Sequence, residues 1–241
     1  MPLAAGVRRL AVDAQGLAAF AKPEGVLSHP NASQDEPRSL LTCRYDPAAQ
    51  CFSWKAADGA PRRLWLLNRL DSATSGVILV AARERLAEAI RAHFARQQVQ
   101  KVYYARVFGH PLVAEETWRD LLAVKKAQGR IRTETTGNVP AETRFQLVRH
   151  SQKAFSSALV RLEPRTGRSH QLRVQCAKRQ LPIVGDQTYG DFALNRAFAK
   201  ATGIKRLFLH SHETRFTYEW AGRKCAFRAV APLPPEFEAG Y

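Results

Sequence analysis

Between Leu64 and Ala81 the chain is apolar at both ends and polar in the middle. Gly76-Val-Ile-Leu-Val-Ala81 is an uninterrupted apolar run. A short run without polar alternation reads as a strand covered on both faces. Directly ahead of it stand Asn68, Arg69, Asp71 and Thr74. A carboxylate beside a buried strand is partly desolvated, at a cost on the order of several kcal/mol unless it is paired. Polar groups kept there against that cost are candidate functional groups. The competing reading of Asp71 is a cap for the turn through Ser72 to Thr74. Thr74-Ser75-Gly76 is small enough to seat a phosphate, although a turn ahead of a buried strand is the commoner reason for such a tripeptide.

Other elements build outward from that strand. Leu17 to Lys22 is a strand followed by the turn Pro23-Glu-Gly25. Residues 31–63 show no clean period and read as loop with one short helix. Arg83 to Gln97 places Leu86, Ala89, Ile90 and Phe94 on one helical face. Lys101 to Gly109 alternates as a strand. Residues 110–140 are basic and turn-rich, a surface arm or hairpin. Glu142 to Val148 and Ser157 to Leu162 read as paired strands. Ser169 to Lys178 reads as a short helix begun by a cap residue. Leu207 to Leu209, Thr214 to Tyr218 and Cys225 to Val230 are late strands. Strands dominate and most connections are short, which argues an α+β class with a largely antiparallel sheet. At 241 residues the chain is long enough for one large domain or two small ones.

Charge narrows the partner. Lys and Arg number 37 against 21 Asp and Glu, a formal net charge of +16. That surplus points to a polyanion, nucleic acid first. Neither an amphipathic helix nor a polybasic end marks a membrane surface, and the longest apolar run, Val77 to Ala82, is far short of a membrane span. Arg8, Arg9 and Asp13 are unlike a secretory signal. Cys43, Cys51, Cys176 and Cys225 are too scattered for a disulfide framework, so a reduced, cytoplasmic protein is expected. No glycine-rich dinucleotide fingerprint and no phosphate-binding P-loop sequence occurs. His210 and His212 share a strand face, but no Cys or carboxylate set completes a metal site. The expectation is no metal and no cofactor.

A second segment offers a partner for Asp71. Arg161 to Gln180 holds Arg161, Arg165, Arg168, Arg173, Lys178 and Arg179 against one acid, Glu163. Clustered Arg at a helix start can bind phosphate or hold a buried carboxylate ionised; a solvated basic face is the alternative. Asn68-Arg-Leu-Asp-Ser-Ala-Thr-Ser-Gly-Val-Ile-Leu-Val-Ala81 resembles the His-Arg-Leu-Asp-x-x-Thr-Ser-Gly signature of the RluA-like family of RNA pseudouridine synthases. Lys101-Val-Tyr-Tyr-Ala-Arg-Val-Phe-Gly109 and Thr166-Gly-Arg-Ser-His-Gln-Leu-Arg-Val174 resemble two more of its blocks. Lys22-Pro-Glu-Gly-Val-Leu-Ser-His-Pro30, Pro182-Ile-Val-Gly-Asp-Gln-Thr-Tyr-Gly190 and Leu207-Phe-Leu-His-Ser211 follow the same order. The likeness runs from about residue 16 to 232 of a single catalytic domain, 1–241, with no evident S4-type RNA-binding domain.

The resemblance implies a long, bent, mainly antiparallel mixed sheet flanked by helices. It implies Asp71 as catalytic aspartate, Tyr103 as the residue that stacks on the target base and handles the C5 proton, and Arg173 as the cation paired with the aspartate. Arg69 corresponds to the side chain that fills the gap left by a flipped uridine. Thr74, Arg168, His170 and Gln171 are candidate substrate contacts, and Leu172 and Ile183 candidate pocket walls. Two positions depart from the family pattern: Asn68 and Gln175 stand where His is frequent. The first predicts altered loop packing, the second altered pocket polarity or RNA contacts. The expected partner is a tRNA and/or rRNA stem-loop, engaged by a monomer, with residues 110–140 as an RNA-gripping arm. A catalytically inactive RNA-binding module on the same scaffold is the alternative from another class. A metal-dependent nuclease would need a carboxylate cluster that the sequence does not show.

Overall fold

The computed structural model describes residues 1–127, 130–151 and 153–239. In chain order the first strands are β1 (Arg8–Val12), β2 (Leu17–Lys22), β3 (Arg44–Asp46), β4 (Cys51–Lys55), β5 (Pro61–Leu66) and β6 (Ser75–Ala81). Helix α1 (Glu84–Ala95) precedes β7 (Gln100–Phe108), β8 (Glu115–Ala127), β9 (Arg130–Ser151) and β10 (Ser157–Pro164). Helices α2 (Gln171–Lys178) and α3 (Phe192–Thr202) lead to β11 (Leu209–Trp220), β12 (Arg223–Val230) and the single turn α4 (Pro235–Glu238). The chain divides into two compact units, Met1–Val99 with Ser211–Pro232, and Gln100–His210 with Leu233–Tyr241. The α+β class and the antiparallel pairing are as the sequence predicts.

In the first unit β1 pairs with β2, β2 with β6, β6 with β5, β5 with β4 and β4 with β3, all antiparallel. The β11–β12 hairpin is antiparallel too. Successive side chains of a strand face opposite sides, and β6 has an apolar cluster on each. Val77, Leu79 and Ala81 join Leu86, Ala87 and Ile90 of α1 and Phe216, Tyr218 and Phe227 of β11 and β12. Ile78 and Val80 join Phe20, Leu40, Leu41, Phe52, Leu64 and Leu66. Every residue of β6 is therefore buried, and the run needs no polar alternation.

Residues 31–63 are not the loop with one helix that their lack of period suggests. The short helix is present as a 3-10 turn, Ser33–Arg38, but β3, β4 and the start of β5 lie here too. β5 buries its last three residues and exposes its first three, so it carries no two-residue period. The turn between β4 and β5 is built on Asp58-Gly59, with the Asp58 carboxylate accepting the Ala60 N–H at 2.9 Å.

In the second unit β7 pairs with β10, β10 with β9 and β9 with β8, again antiparallel. β9 spans 22 residues and lines both neighbours. The β8–β9 register jumps between Leu122↔Val139 and Ala123↔Glu134, so residues 135–138 bulge out of the ladder. The arm read at 110–140 is this hairpin; Gln128 and Gly129, and the side chains of Lys125, Lys126 and Arg130, lie outside the described residues. α4 is clamped from below: the buried Arg106 donates to the carbonyls of Phe237 and Ala239 at 2.7 and 2.5 Å. The late strand begins at Leu209 rather than Leu207.

Candidate active site

In the first unit Asp71 is half-buried on a loop that is fixed from three sides. The Asn68 side-chain oxygen accepts the Leu79 N–H at 2.8 Å. Ser28 Oγ donates to the Leu70 carbonyl at 2.7 Å and accepts the Leu70 N–H at 2.9 Å. Lys22, 1% exposed, turns its ammonium onto the carbonyls of Pro23, Val26 and Ser72 at 3.0, 2.7 and 3.0 Å. Three carbonyls satisfy an ammonium that burial would otherwise make costly. The Gly25 N–H joins Lys22 on Ser72 O at 2.8 Å. Both ends of the Lys22-Pro-Glu-Gly25 turn thus grip the residue after Asp71.

The turn reading of Asp71 holds for its backbone, whose carbonyl accepts the Thr74 N–H at 3.0 Å. Arg69 is exposed on the same loop. Thr74 is 2% exposed and its hydroxyl has no hydrogen-bond partner. Gly76 closes the segment at φ +117°, where a Cβ would sit 2.1 Å from the Ser211 carbonyl oxygen. Only glycine fits that approach.

In the second unit Tyr103 stands half-buried on β7, opposite Leu162 of β10. Lys101, two residues earlier, donates to the Thr166 carbonyl at 3.0 Å, and burial pulls its pKa down to about 8. Arg173 on α2 forms a two-point pair with Asp186, Nε to Oδ2 at 2.8 Å and Nη2 to Oδ1 at 2.7 Å. The two side chains are 9% and 1% exposed. Burial opposes ionisation of Asp186. The Arg173 guanidinium and the N–H groups of Tyr189 and Thr188 outweigh it and hold the carboxyl below the usual range. The guanidinium also lies 5.2 Å from the centre of the Tyr189 ring. The Tyr189 hydroxyl in turn meets His170 Nδ1 at 2.9 Å and the Thr133 N–H at 2.7 Å.

A model described as RNA pseudouridylate synthase matches residues 16–178. The chain belongs to that family. Its RluA-like character is seen in the relatives. It is 34% identical over 213 residues to the dual-specificity RNA pseudouridine synthase RluA of Escherichia coli K12, covering 87% of each chain. It is 35% identical to the tRNA pseudouridine synthase C of Pasteurella multocida, covering 84% of this chain and 82% of that one. Against the ribosomal large subunit pseudouridine synthase C of Vibrio cholerae the identity is 34%, over 73% of this chain and 54% of the other. The chain thus spans about half the length of that ribosomal relative. The human RNA pseudouridylate synthase domain containing 1 shares the fold, with a TM-score of 0.69 at 22% identity, covering 96% of this chain and 86% of that one.

Within this pseudouridylate synthase scaffold the sequence-predicted residues fall in two groups. Arg69, Asp71 and Thr74 share one loop of the first unit. Arg168, His170, Gln171, Leu172 and Arg173 gather at the start of α2 in the second. No Ser169 cap begins that helix: His170, at φ 54°, occupies the N-cap without a side-chain cap bond. Gln171, the first helical residue, instead ties the helix start to the segment ahead of it and to β9. Its side-chain oxygen accepts the Arg168 N–H at 3.1 Å and the Thr166 hydroxyl at 2.7 Å, while its amide donates to Glu142 O and Thr143 Oγ1. Gln171 is thus buried and bonded through both atoms of its side-chain amide. Arg168 is exposed, and Leu172 and Ile183 are buried, Ile183 bridging to Val107.

The basic run 161–179 is mostly ion-paired, although Arg165 and Arg168 stay exposed. Arg161 pairs with Glu163, Arg165 with Glu142, and Lys178 and Arg179 with Asp120. Gln175 is fully buried, bonded to Thr143 and Asp120 at 2.6 and 2.8 Å, so its replacement of His alters an internal tie. Of the two histidines considered for a metal, His212 Nδ1 meets the Ala231 carbonyl at 2.9 Å and His210 is buried near Phe237. Among the described residues no group of three His, Cys, Asp or Glu side chains is placed for a metal ion, and no helix is long and apolar enough to cross a membrane. Sequence reasoning missed Lys22, Ser28, Lys101 and Asp186. Each lies in or beside a quoted block, but none breaks a local rule the way Asp71 does.

Proposed function

We propose that the chain converts a uridine in tRNA and/or rRNA to pseudouridine, with Asp71 as its catalytic carboxylate. The observation that carries this reading is the Asp71 loop, a family signature held rigid by Lys22, Ser28 and Asn68. The reaction breaks the N1–C1′ bond, turns the uracil and joins C5 to C1′; C5 loses its proton to solvent and N1 takes one up. It is an isomerisation, balanced without a redox partner. It needs an ionised carboxylate near C1′, as nucleophile or as base for the 2′ proton. Preorganisation of that carboxylate is what a pinned loop supplies.

On this reading the second unit contributes Tyr103 as stacking platform and Arg173 as the cation that keeps a carboxylate ionised. Asp186 orients Arg173. Arg69, exposed beside Asp71, serves as the wedge for a flipped base, whose extrusion costs about a few kcal/mol. One family model runs from residue 16 to 178 through both units, which supports a single catalytic domain. The relatives named for tRNA and for dual specificity are matched over 82% and 87% of their length, which favours a tRNA or dual substrate. We take the working form to be a cytoplasmic monomer needing neither cofactor nor metal.

The test is tritium release from [5-³H]uridine-labelled bulk tRNA and bulk rRNA, separately. Wild type releases tritium and Asp71→Asn does not, while binding RNA within about twofold of wild type, since one carboxylate adds nothing to phosphate affinity. Equal release from both proteins, or from neither, overturns the assignment.

A further inference from the structure

The second unit carries a cavity of about 500 Å³ that the reaction leaves unused. Phe192, Phe198, Ala199 and Ile204 form its apolar wall, and Arg196 and Lys205 its rim. Phe192 is 51% exposed, which leaves its ring open to solvent. Arg196 and Lys205 are exposed, and neither has an acidic partner among the described residues. No carboxylate lines the cavity. Several basic side chains of this unit are tied to acids, as at Asp120, Glu142 and Asp186. Here the two cations are left open around an aromatic face.

One lining residue, Asn195, bonds to the backbone of Asp186. Asn195, buried in α3, accepts the Gly185 N–H at 2.7 Å and donates to the Asp186 carbonyl at 3.0 Å. The same Asp186 holds Arg173 through its carboxylate. An occupant resting on α3 therefore bears on the backbone that positions Arg173.

We propose that this cavity seats one unpaired nucleotide of the RNA other than the target uridine, its base on the Phe192 ring and its phosphate between Arg196 and Lys205. The inference rests on RNA being the substrate. An aromatic platform beside a pair of unneutralised cations matches a nucleotide's own division into a π-face and an anion. Sequence tolerance follows, because every base offers a π-face.

The test uses the full chain and measures affinity for bulk tRNA and bulk rRNA over a range of salt. Phe192→Ala weakens affinity about tenfold at unchanged salt slope, and Phe192→Trp restores it. Arg196→Gln with Lys205→Gln lowers the slope of log affinity against log salt by about 0.7, the share of the one phosphate the two cations hold. The three residues are surface-exposed, so thermal melting stays as in wild type. Unchanged affinity and slope in every variant overturn the proposal. So does unchanged RNA binding with an altered sedimentation profile, which would mark the cavity as a contact between copies. Tritium release at saturating RNA separates the two readings. Active wild type with unshifted variants removes the nucleotide seat alone. Inactive wild type with shifted variants removes the synthase and keeps the seat.

Discussion

Arg173 and Asp186 are both nearly withdrawn from water, and either one is costly to bury alone. Asp186→Asn keeps the volume and removes the charge. It leaves a buried guanidinium short of its anion, so it should lower stability by about 3–5 kcal/mol in urea titration. Tritium release at saturating RNA should fall more than RNA affinity, because Arg173 would lose its orientation and not its cavity wall. The pair also sets an acid limit. The Asp186 pKa is depressed in the folded chain, so its contribution is complete above the ordinary Asp value of about 3.9 and drains as the pH falls below it. Stability measured from pH 6 down to pH 2 should decline less steeply in Asp186→Asn than in wild type. Asp71 was marked out as a candidate by the sequence because it interrupts an apolar stretch. Asp186 was not, because its neighbours Gly185 and Gln187 give no sign that the chain folds it onto Arg173.

The loop that carries Asp71 is an element built from three distant pieces. Lys22 belongs to β2, Ser28 to the following turn and Leu79, the partner of Asn68, to β6. Lys22→Met should strand the Pro23 and Val26 carbonyls, Ser72 keeping the Gly25 N–H, and cost about 2 kcal/mol or more, at about 1–3 kcal/mol per unsatisfied group. The same variant should lose tritium release at saturating RNA while keeping the salt slope of binding. Asn68→Ala should cost less, since one N–H, that of Leu79, loses its acceptor. β6 was readable because both its faces are buried, which gives a run that resembles nothing else. β5 was not, with exposure at one end and burial at the other. α3 escaped notice although its ends are marked: Asp191 accepts the N–H groups of Ala193 and Leu194, and Gly203 closes it at φ 74°. Its apolar residues Phe192, Leu194 and Phe198 do not fall on one stripe, and two of them are the exposed ones.

Across the molecule the net charge of +16 is distributed by what the acids leave over. The densest basic run, 161–179, is largely spent on Glu142, Glu163, Asp120 and Asp186. Surplus charge is therefore sought on the β8–β9 hairpin and on α3. Replacing Lys125, Lys126, Arg130 and Arg132 by Gln should lower the salt slope of tRNA binding by about 3, at about 0.7–0.9 per phosphate contact. An unchanged slope would remove the hairpin from the RNA interface.

The two units are also interlaced along the chain, each resuming after the other has been spelled out. Synthesis from the N-terminus delivers β6 early, yet Phe216, Tyr218 and Phe227, which cover one of its faces, come last. Arg106 waits about as long, its acceptors lying 131 and 133 positions downstream. On the ribosome the nascent chain must therefore keep one apolar face of β6 from its neighbours until β11 and β12 have emerged.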